Sequence, residues 1–424
     1  MAPFMVLGLV VAIGLGAPIA IAILIASMGG MALFTPLPFV LVAQKLVTTI
    51  DSFPLMAIPF FILAGNLMEA GGISGRLVEF AKAIVGGVRG GLACSCVLTC
   101  MIFASVSGSS VATTFAIGAI IIPAMLRHGY PRPFAASLQA TSAELGVIIP
   151  PSIPLILYGV SAEVSIGELF VAGIGPGLLL ALALTLYVWL TCRRNGWGER
   201  DHEGRLPLGR ATLQAGWALL MPVIIIGGIY RGVFTPTEAS AVAVVYALLV
   251  GTLIHRALSW RDLGGVLARS VVSSATIMFI IAAAGLFSFL ITRAGIPAAA
   301  GRAIGAAISD PLVFLLAVNL FLFVVGMFIE TSAAIIVLAP ILAPIAIAFG
   351  VDPVHFGLIM VVNLALGMIT PPFGVNLFAA CQVAEIPLER IVGRLVPFVL
   401  VVVACLMVIT YVPGLTLALR DLAF

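Results

Sequence analysis

Residues 144–152 read Glu-Leu-Gly-Val-Ile-Ile-Pro-Pro-Ser and lie inside a long apolar stretch. Proline has no backbone N–H, and its ring clashes with the carbonyl four residues earlier. Pro150 should therefore leave the Gly146 carbonyl without its helical partner, and Pro151 should do the same to Val147. A carbonyl without a hydrogen bond is costly in an apolar environment. The stretch therefore predicts a broken helix that presents backbone oxygens.

The same pattern recurs 221 residues later along the chain. There Pro371 and Pro372 are expected to free the carbonyls of Gly367 and Met368. Further prolines, glycines and glutamates coincide at this offset: Pro123 with Pro344, Gly129 with Gly350, Glu168 with Glu389, and Pro176 with Pro397. Coincidences of these residue types at one fixed offset indicate an internal duplication.

Two long apolar stretches, about 90–127 and 311–349, are each interrupted by small and polar residues. The first is interrupted at 105–110 and the second at 326–332. Each stretch is predicted to form two half-length helices that meet at a polar tip, which is a re-entrant hairpin. Irregular backbone at membrane depth is tolerated only where protein or water covers it.

The composition predicts a polytopic membrane protein. The chain is 62% hydrophobic and 9% charged, whereas a soluble domain is about 25% charged. A spanning helix needs roughly 20 apolar residues. Spans are predicted at about 4–13 (short), 16–34, 52–68, 133–158, 169–192, 214–230, 235–255, 271–292, 353–378 and 390–413. The net charge of +3, without basic clusters among aromatics, argues against a nucleic-acid partner.

The polar segment 193–213 is predicted to be a cytoplasmic linker between two repeats. The first repeat is 1–192, with the hairpin at about 90–127 and a broken helix at about 133–158. The second is 214–424, with the hairpin at about 311–349 and a broken helix at about 353–378. This topology places five of the 20 basic residues outside, namely Lys45, Arg231, Arg293, Arg302 and Arg420. The cytoplasmic excess agrees with the positive-inside rule.

The predicted fold is therefore an all-α inverted repeat with two re-entrant hairpins and two broken helices. Secondary transporters bind substrates and coupling ions at such discontinuous helices. The freed carbonyls are suitable ligands for an alkali cation. The alternative is that each Pro-Pro pair only kinks its helix, with water or Ser and Thr side chains closing the gaps.

The hairpin tips are predicted to bind an anionic group. The second helix of each hairpin begins inside the membrane, so its first N–H groups lack partners and its dipole end is positive. A substrate carboxylate suits this position. Hydroxyls at the tips (Ser109, Ser110, Thr113, Thr331 and Ser332) either bind that substrate or cap the helices.

Two carboxylates, Glu144 and Glu330, fall within the predicted membrane region, where such groups are costly. They are candidates for ion coordination, proton coupling or substrate orientation, or they brace the unwound segments. The sequence has no nucleophile elbow, P-loop or zinc-protease motif, and it predicts neither an enzyme nor an organic cofactor. The cluster of Cys94, Cys96 and Cys100 is interpreted as apolar filling rather than as a metal or redox site.

The chain resembles the large, DctM-like membrane subunit of tripartite ATP-independent periplasmic (TRAP) transporters. The resemblance rests on residues 65–77, 107–113, 123–130, 143–152 and 367–376. It implies sodium-driven import of an organic acid across the bacterial inner membrane by an elevator motion. It also implies two protein partners, a small four-helix membrane subunit and a periplasmic substrate-binding protein.

The resemblance also implies two sodium sites, with sodium as the coupling ion. Site 1 is expected at Ser107, Gly146, Ile149 and Pro151. Site 2 is expected at Gly326, Thr331, Gly367, Thr370 and Phe373. The substrate candidates are Ser109, Ser110, Thr113, Ser152, Glu330, Ser332 and Asn376. The alternatives are a dicarboxylate/sodium symporter that works without a binding protein and, from another class, a channel.

Overall fold

The computed structural model describes residues 1–198, 206–372 and 374–423, and every regular element within those ranges is helical. In this part of the chain, eight helices are long and apolar enough to cross a membrane. The pair Arg132–Ile148 and Ile153–Ser161, bent by 43°, forms a ninth span if it is taken as one. The predicted all-α polytopic fold is confirmed.

In the described residues up to Tyr230, the chain forms twelve α-helices, of which the last follows the linker. They are α1 (Ala2–Gly14), α2 (Ile19–Phe34), α3 (Val40–Ile50), α4 (Ala57–Ala70), α5 (Ile73–Val85), α6 (Gly91–Ser107), α7 (Ser110–Arg127), α8 (Arg132–Ala143), α9 (Leu145–Ile148), α10 (Ile153–Ser161), α11 (Ile166–Asn195) and α12 (Leu208–Tyr230).

Nine more α-helices follow in the described part of the second repeat. They are α13 (Pro236–Leu249), α14 (Trp260–Arg293), α15 (Ile296–Ala307), α16 (Pro311–Gly326), α17 (Thr331–Ala348), α18 (Pro353–Met368), α19 (Val375–Ala384), α20 (Leu388–Tyr411) and α21 (Gly414–Ala423). A 3₁₀ turn precedes α4 and a π-helical turn follows α13.

The helix boundaries agree with the predicted duplication. Under a shift of 221 residues, α7 coincides with α17 at both ends, and the start of α8 coincides with that of α18. Gly129 and Gly350 end the two hairpins with φ of 80° and 79°, a left-handed conformation that favours glycine. The peptide bonds Pro150-Pro151 and Pro371-Pro372 are both cis. The predicted hairpins are α6–α7 and α16–α17, and the predicted broken helices are α8–α10 and α18–α19.

The polar linker is shorter than predicted on both sides. Helix α11 continues through Asn195, and α12 already begins at Leu208. Gly196, with φ of 71°, ends α11 in the left-handed conformation. Residues 199–205 of the predicted linker lie outside the described residues.

Several short helices were not predicted because they are too short or too polar to span a membrane: α3, α5, α15 and α21. Helix α14 also begins eleven residues before the predicted span, at Trp260. A capping box between Ser259 and Asp262 starts it there. Its first turns are polar, so a search for apolar residues misses them.

The two repeats pack into each other. Helix α19 of the second repeat lies against α7 and α8 of the first, and α20 also packs on α8. Arg132 at the start of α8 donates to the Ala384 carbonyl at the end of α19, over 3.2 Å. A second group of helices packs together: α14 packs against α2, α3 and α4, and α13 packs against α4. We call this second group, with α12, the scaffold.

Candidate functional site

The first hairpin tip lies directly against the first broken helix. Gly108, with φ of 60°, separates α6 from α7, and Ser109 caps α7 by accepting from the Ala112 N–H. A Cβ at Gly146 would lie 2.8 Å from the Ser109 carbonyl oxygen. A Cβ at Gly108 would lie 2.8 Å from the carbonyl oxygen of Pro151. Only glycine at these positions allows the backbones to approach so closely.

One of the two carbonyls at the first break is available, as the prolines predict. Pro150 has no N–H to donate to the Gly146 carbonyl. The neighbouring Ile149 N–H already donates to the Leu145 carbonyl over 2.9 Å, so it does not replace the missing donor. The Val147 carbonyl, by contrast, accepts from the hydroxyl of Ser152. Pro151 therefore does not leave Val147 unsatisfied, because a serine side chain replaces the missing N–H.

The hydroxyls of site 1 converge at the tip. The Ser107 hydroxyl lies 2.9 Å from that of Thr113 and donates to the Ser109 carbonyl over 3.3 Å. The Ile153 N–H donates to the Gly108 carbonyl over 3.5 Å, which ties the tip to the far side of the break. Neutral oxygens of this kind, with the Gly146 carbonyl, are the ligands that a hard cation requires.

Site 2 has the same construction but different hydrogen bonding. Gly326 and Gly367 meet backbone to backbone, and a Cβ on Gly367 would overlap Gly326. The Gly367 carbonyl accepts from the Thr370 N–H over 2.9 Å, so it is not left unpaired by Pro371. Thr370 also donates its hydroxyl to the Leu366 carbonyl over 2.8 Å.

Thr331 provides the available oxygen at site 2. Its hydroxyl is fully buried and has no hydrogen-bond partner among the described residues. A buried hydroxyl without a partner is rare and needs an explanation, and a bound cation would supply one. Phe373, the fifth predicted member of site 2, lies outside the described residues.

A cavity of about 440 Å³ lies between the two hairpin tips. Ser109 and Ser110 line it from the first tip, and Glu330 and Ser332 from the second. The remaining wall includes α14 of the scaffold, with Val272, Ser273, Thr276, Ile277 and Ile280. The structure thus brings four of the seven substrate candidates together around a space large enough for a small organic molecule.

The two tips present different groups to this cavity. Glu330 caps α17 with its own carboxylate, which accepts from the Ser332 N–H over 2.9 Å and from Ala333 over 3.2 Å. Its other oxygen accepts from the Ser332 hydroxyl over 2.9 Å. The first tip is capped only by the neutral Ser109. A ligand carboxylate is therefore favoured at the N-terminus of α7 and disfavoured beside Glu330.

The other three substrate candidates do not line this cavity. Thr113 donates to the Ser109 carbonyl over 2.7 Å, and Ser152 accepts from the Leu155 N–H as the cap of α10. Asn376 donates to Glu144 over 2.8 Å and to the Ala140 carbonyl over 2.9 Å. In the structure these side chains hold the helix ends in place.

Two polar scaffold residues next to the site were missed by the sequence analysis. Asn66 and Glu69 of α4 line a smaller cavity, about 120 Å³, together with Ser107, Ser109 and Ser273. Asn66 donates to the Ser270 hydroxyl over 2.8 Å, which joins α4 to α14. Asn66 stands in a motif that carries the family resemblance, but nothing local indicates that α4 faces the first hairpin tip.

The sequence of this chain is similar to those of known transport proteins. It matches the family described as "Tripartite ATP-independent periplasmic transporter, DctM component" over residues 6–415. It is 40% identical to the C4-dicarboxylate TRAP transporter large permease protein DctM of Rhodobacter capsulatus, covering 100% of this chain and 99% of that protein.

A second relative is longer. The chain is 44% identical to the isethionate TRAP transporter permease protein DctMQ of Oleidesulfovibrio alaskensis, over 97% of this chain but 64% of that protein. It is also 37% identical to the sialic acid TRAP transporter large permease protein SiaM of Vibrio cholerae, over 90% of this chain and 89% of that protein.

Among solved structures, the fold is similar to that of the Alcanivorax borkumensis YdaH transporter. The TM-score is 0.64 at 15% identity, covering 92% of this chain and 95% of that one. At this identity the similarity concerns the fold alone. The family match and the close relatives, all named as transporter permeases, go further: the chain belongs to the DctM family of TRAP transporter large permeases and is a transport protein, not an enzyme.

Proposed function

We propose that this chain is a sodium-coupled importer subunit that moves a small organic acid across the bacterial inner membrane. The cavity of about 440 Å³ between the hairpin tips carries the proposal. Each tip rests on a broken helix at one predicted sodium site, through the glycine contacts Gly146–Ser109 and Gly367–Gly326. Sodium bound behind a tip would therefore order the wall of the substrate cavity.

The substrate is proposed to be a carboxylate. Two of these relatives are named for carboxylates, namely C4-dicarboxylates and sialic acid, and a third is named for isethionate, which is a sulfonate. In this chain, the N-terminus of α7 offers unpaired N–H groups and the Ser109 and Ser110 side chains at the cavity wall. The carboxylate of Glu330 at the opposite tip favours a hydroxyl or amino group at that end of the substrate.

We propose an elevator motion of the core formed by α6–α11 and α16–α20 against the scaffold. The cavity wall is shared between the two groups of helices, since Ser273 and Thr276 come from α14 while Ser109 and Glu330 come from the tips. Movement of the core would carry the tips past this wall. A small four-helix membrane subunit and a periplasmic binding protein are the proposed partners, as the resemblance implies.

Alanine substitutions at the two close approaches test the proposal. Gly146→Ala would place a methyl group 2.8 Å from the Ser109 carbonyl oxygen, and Gly367→Ala would overlap Gly326. Each should reduce sodium-dependent uptake by roughly tenfold or more, because a displacement of about 1 Å can cost that much. Uptake of a radiolabelled small hydroxycarboxylic acid, such as lactate, is measured in proteoliposomes that contain the permease, its small subunit and the binding protein, with sodium or choline outside.

Gly393→Ala is the matched control, because a Cβ there has no neighbour within 4 Å. It should transport like the wild type. The sodium-site assignment is wrong if both site variants keep the sodium dependence of the wild type. If the wild type takes up none of a panel of small acids in a sodium-dependent manner, the sodium-coupled function itself is rejected.

A further inference from the structure

A buried hydrogen bond joins the segments that carry the two proposed sodium sites. The Asn376 Nδ2 group donates to Glu144 Oε1 over 2.8 Å. Glu144 precedes Gly146 of site 1 by two residues, and Asn376 follows the second break by two residues. The contact spans 232 positions in the chain and crosses from one repeat to the other.

The Asn376 side chain makes three hydrogen bonds, and both of its N–H groups are used within the protein. Nδ2 also donates to the Ala140 carbonyl over 2.9 Å, and Oδ1 accepts from the Thr114 hydroxyl. Asn376 and Thr114 are fully buried, and Glu144 is 4% exposed. The amide thus joins α7 and the first broken helix to α19, behind the cavity rather than within it.

This group of three side chains, Thr114, Glu144 and Asn376, is the cross-repeat link. We propose that the cross-repeat link couples the two sodium sites, so that sodium at one site raises the affinity of the other. The inference rests on the proposed function, since it requires both sodium sites. It gives Glu144 and Asn376 a role as positioning residues rather than as ligands of the substrate.

The coupling follows from how the break segments are held. In each broken helix a short segment is not helical, namely 149–152 in the first and the described residues 369–372 and 374 in the second. A bound ion would restrict the conformation of such a segment. Ordering one segment fixes the orientation of its half of the cross-repeat link, and the buried hydrogen bond transmits this restriction to the other segment. The second ion then binds to a segment that is already ordered, which gives positive cooperativity. The effect must be reciprocal between the two sites.

The cooperativity of sodium binding tests the inference. Equilibrium binding of radioactive ²²Na⁺ to the purified permease should give a Hill coefficient above ~1.3 for the wild type, since coupling energies between sites typically change affinity by about 5-fold or more. Asn376→Leu and Glu144→Leu should lower the coefficient to ~1 and weaken the binding of the second ion about fivefold or more. Glu144→Gln keeps an acceptor oxygen for Asn376 and should retain the cooperativity.

A matched buried asparagine provides the control. Asn319 is 3% exposed and bonds Asn363 and Thr410, all within the second repeat. Asn319→Leu removes hydrogen bonds of the same kind and should leave the Hill coefficient at the wild-type value. Equal loss of cooperativity in Asn319→Leu would mean that general destabilisation is responsible, and it would overturn the inference.

The remaining outcomes are also distinguishable. Wild-type protein that binds no sodium rejects the proposed function, whereas wild-type binding with a coefficient of 1 rejects only the coupling. If size-exclusion chromatography shows that the leucine variants are not folded, Thr114→Val is the milder substitution to test. It removes only the hydroxyl that bonds Asn376, and an unchanged Hill coefficient in this variant then counts against the coupling.

Discussion

At the scale of single residues, Thr331 has surroundings that a bound ion would explain. Its buried hydroxyl lacks a partner among the described residues, so Thr331→Val should be neutral or stabilising in the absence of sodium, because an unmade hydrogen bond carries a desolvation cost. In sodium, the same variant should be less stabilised than the wild type. A tenfold loss of affinity removes about 1.4 kcal/mol of stabilisation at saturating sodium.

The measurement is the thermal midpoint of the detergent-solubilised protein in sodium and in choline. Thr99 provides the comparison, since it is fully buried but donates its hydroxyl to the Ser95 carbonyl over 2.7 Å. Thr99→Val should leave the sodium-induced shift unchanged. If Thr331→Val also leaves it unchanged, Thr331 is not a sodium ligand.

The helix ends outside the membrane spans depend on local capping, and α18 is a clear example. Asp352 caps it by accepting from the Val354 and His355 N–H groups over 2.8 Å and 3.1 Å. The same carboxylate accepts from Arg420 of α21 over 2.7 Å. Burial acts to raise the pKa of Asp352, but Arg420 and the two amides outweigh it, and the net pKa is lowered.

This predicts a pH-dependent contribution to stability. A lowered pKa in the folded state means that the charged form stabilises the protein above the unfolded pKa, about 3.9, and that this contribution is lost as the pH falls below it. Asp352→Asn keeps the cap and loses the ion pair, so it should cost up to about 1 kcal/mol at pH 7, the usual value of a partly exposed pair. Asp352→Ala should cost about 1 kcal/mol more through the lost cap.

Thermal midpoints at pH 7 and at about pH 2.5, well below the unfolded pKa of about 3.9, check both variants. The difference between wild type and Asp352→Asn should shrink at the lower pH. A difference that stays constant or grows on acidification would contradict the assigned role of Arg420.

At the scale of the whole molecule, the topology can be tested across α12. This helix has 23 residues, which gives a length of about 35 Å at 1.5 Å per residue, so it can cross a hydrocarbon core of about 30 Å. Arg231→Cys, beyond its C-terminus, should react with a membrane-impermeant maleimide added outside the cell. Asn195→Cys, before the linker, should react only after permeabilisation.

The six native cysteines are all buried and should add little background labelling. Labelling of both engineered cysteines from the same side would mean that α12 does not cross the membrane. Labelling with the sides exchanged would invert the orientation and with it the proposed direction of import.

Much of this architecture could be predicted from the amino-acid sequence, because it follows from local chemistry. Pro150, Pro151, Pro371 and Pro372 cannot donate hydrogen bonds, so the helical hydrogen-bond pattern is interrupted at both Pro-Pro pairs wherever the helices are placed. The lengths of the apolar stretches predicted the spans, and the serines that interrupt one of them predicted the first hairpin. The duplication was predicted from prolines and glycines that match at one fixed offset. These features depend only on covalent structure and near neighbours.

The tertiary structure decided which of these groups remain available. Near neighbours close two of the freed carbonyls, since Ser152 satisfies Val147 and the Thr370 N–H satisfies Gly367. The packing of the helices leaves the Thr331 hydroxyl without a partner among the described residues. Asn376 was expected at the substrate but binds Glu144 of the other repeat, and Asn66 reaches the first tip from the scaffold. Hydrogen bonds between distant segments depend on how whole helices pack, and no local pattern in the chain specifies that packing.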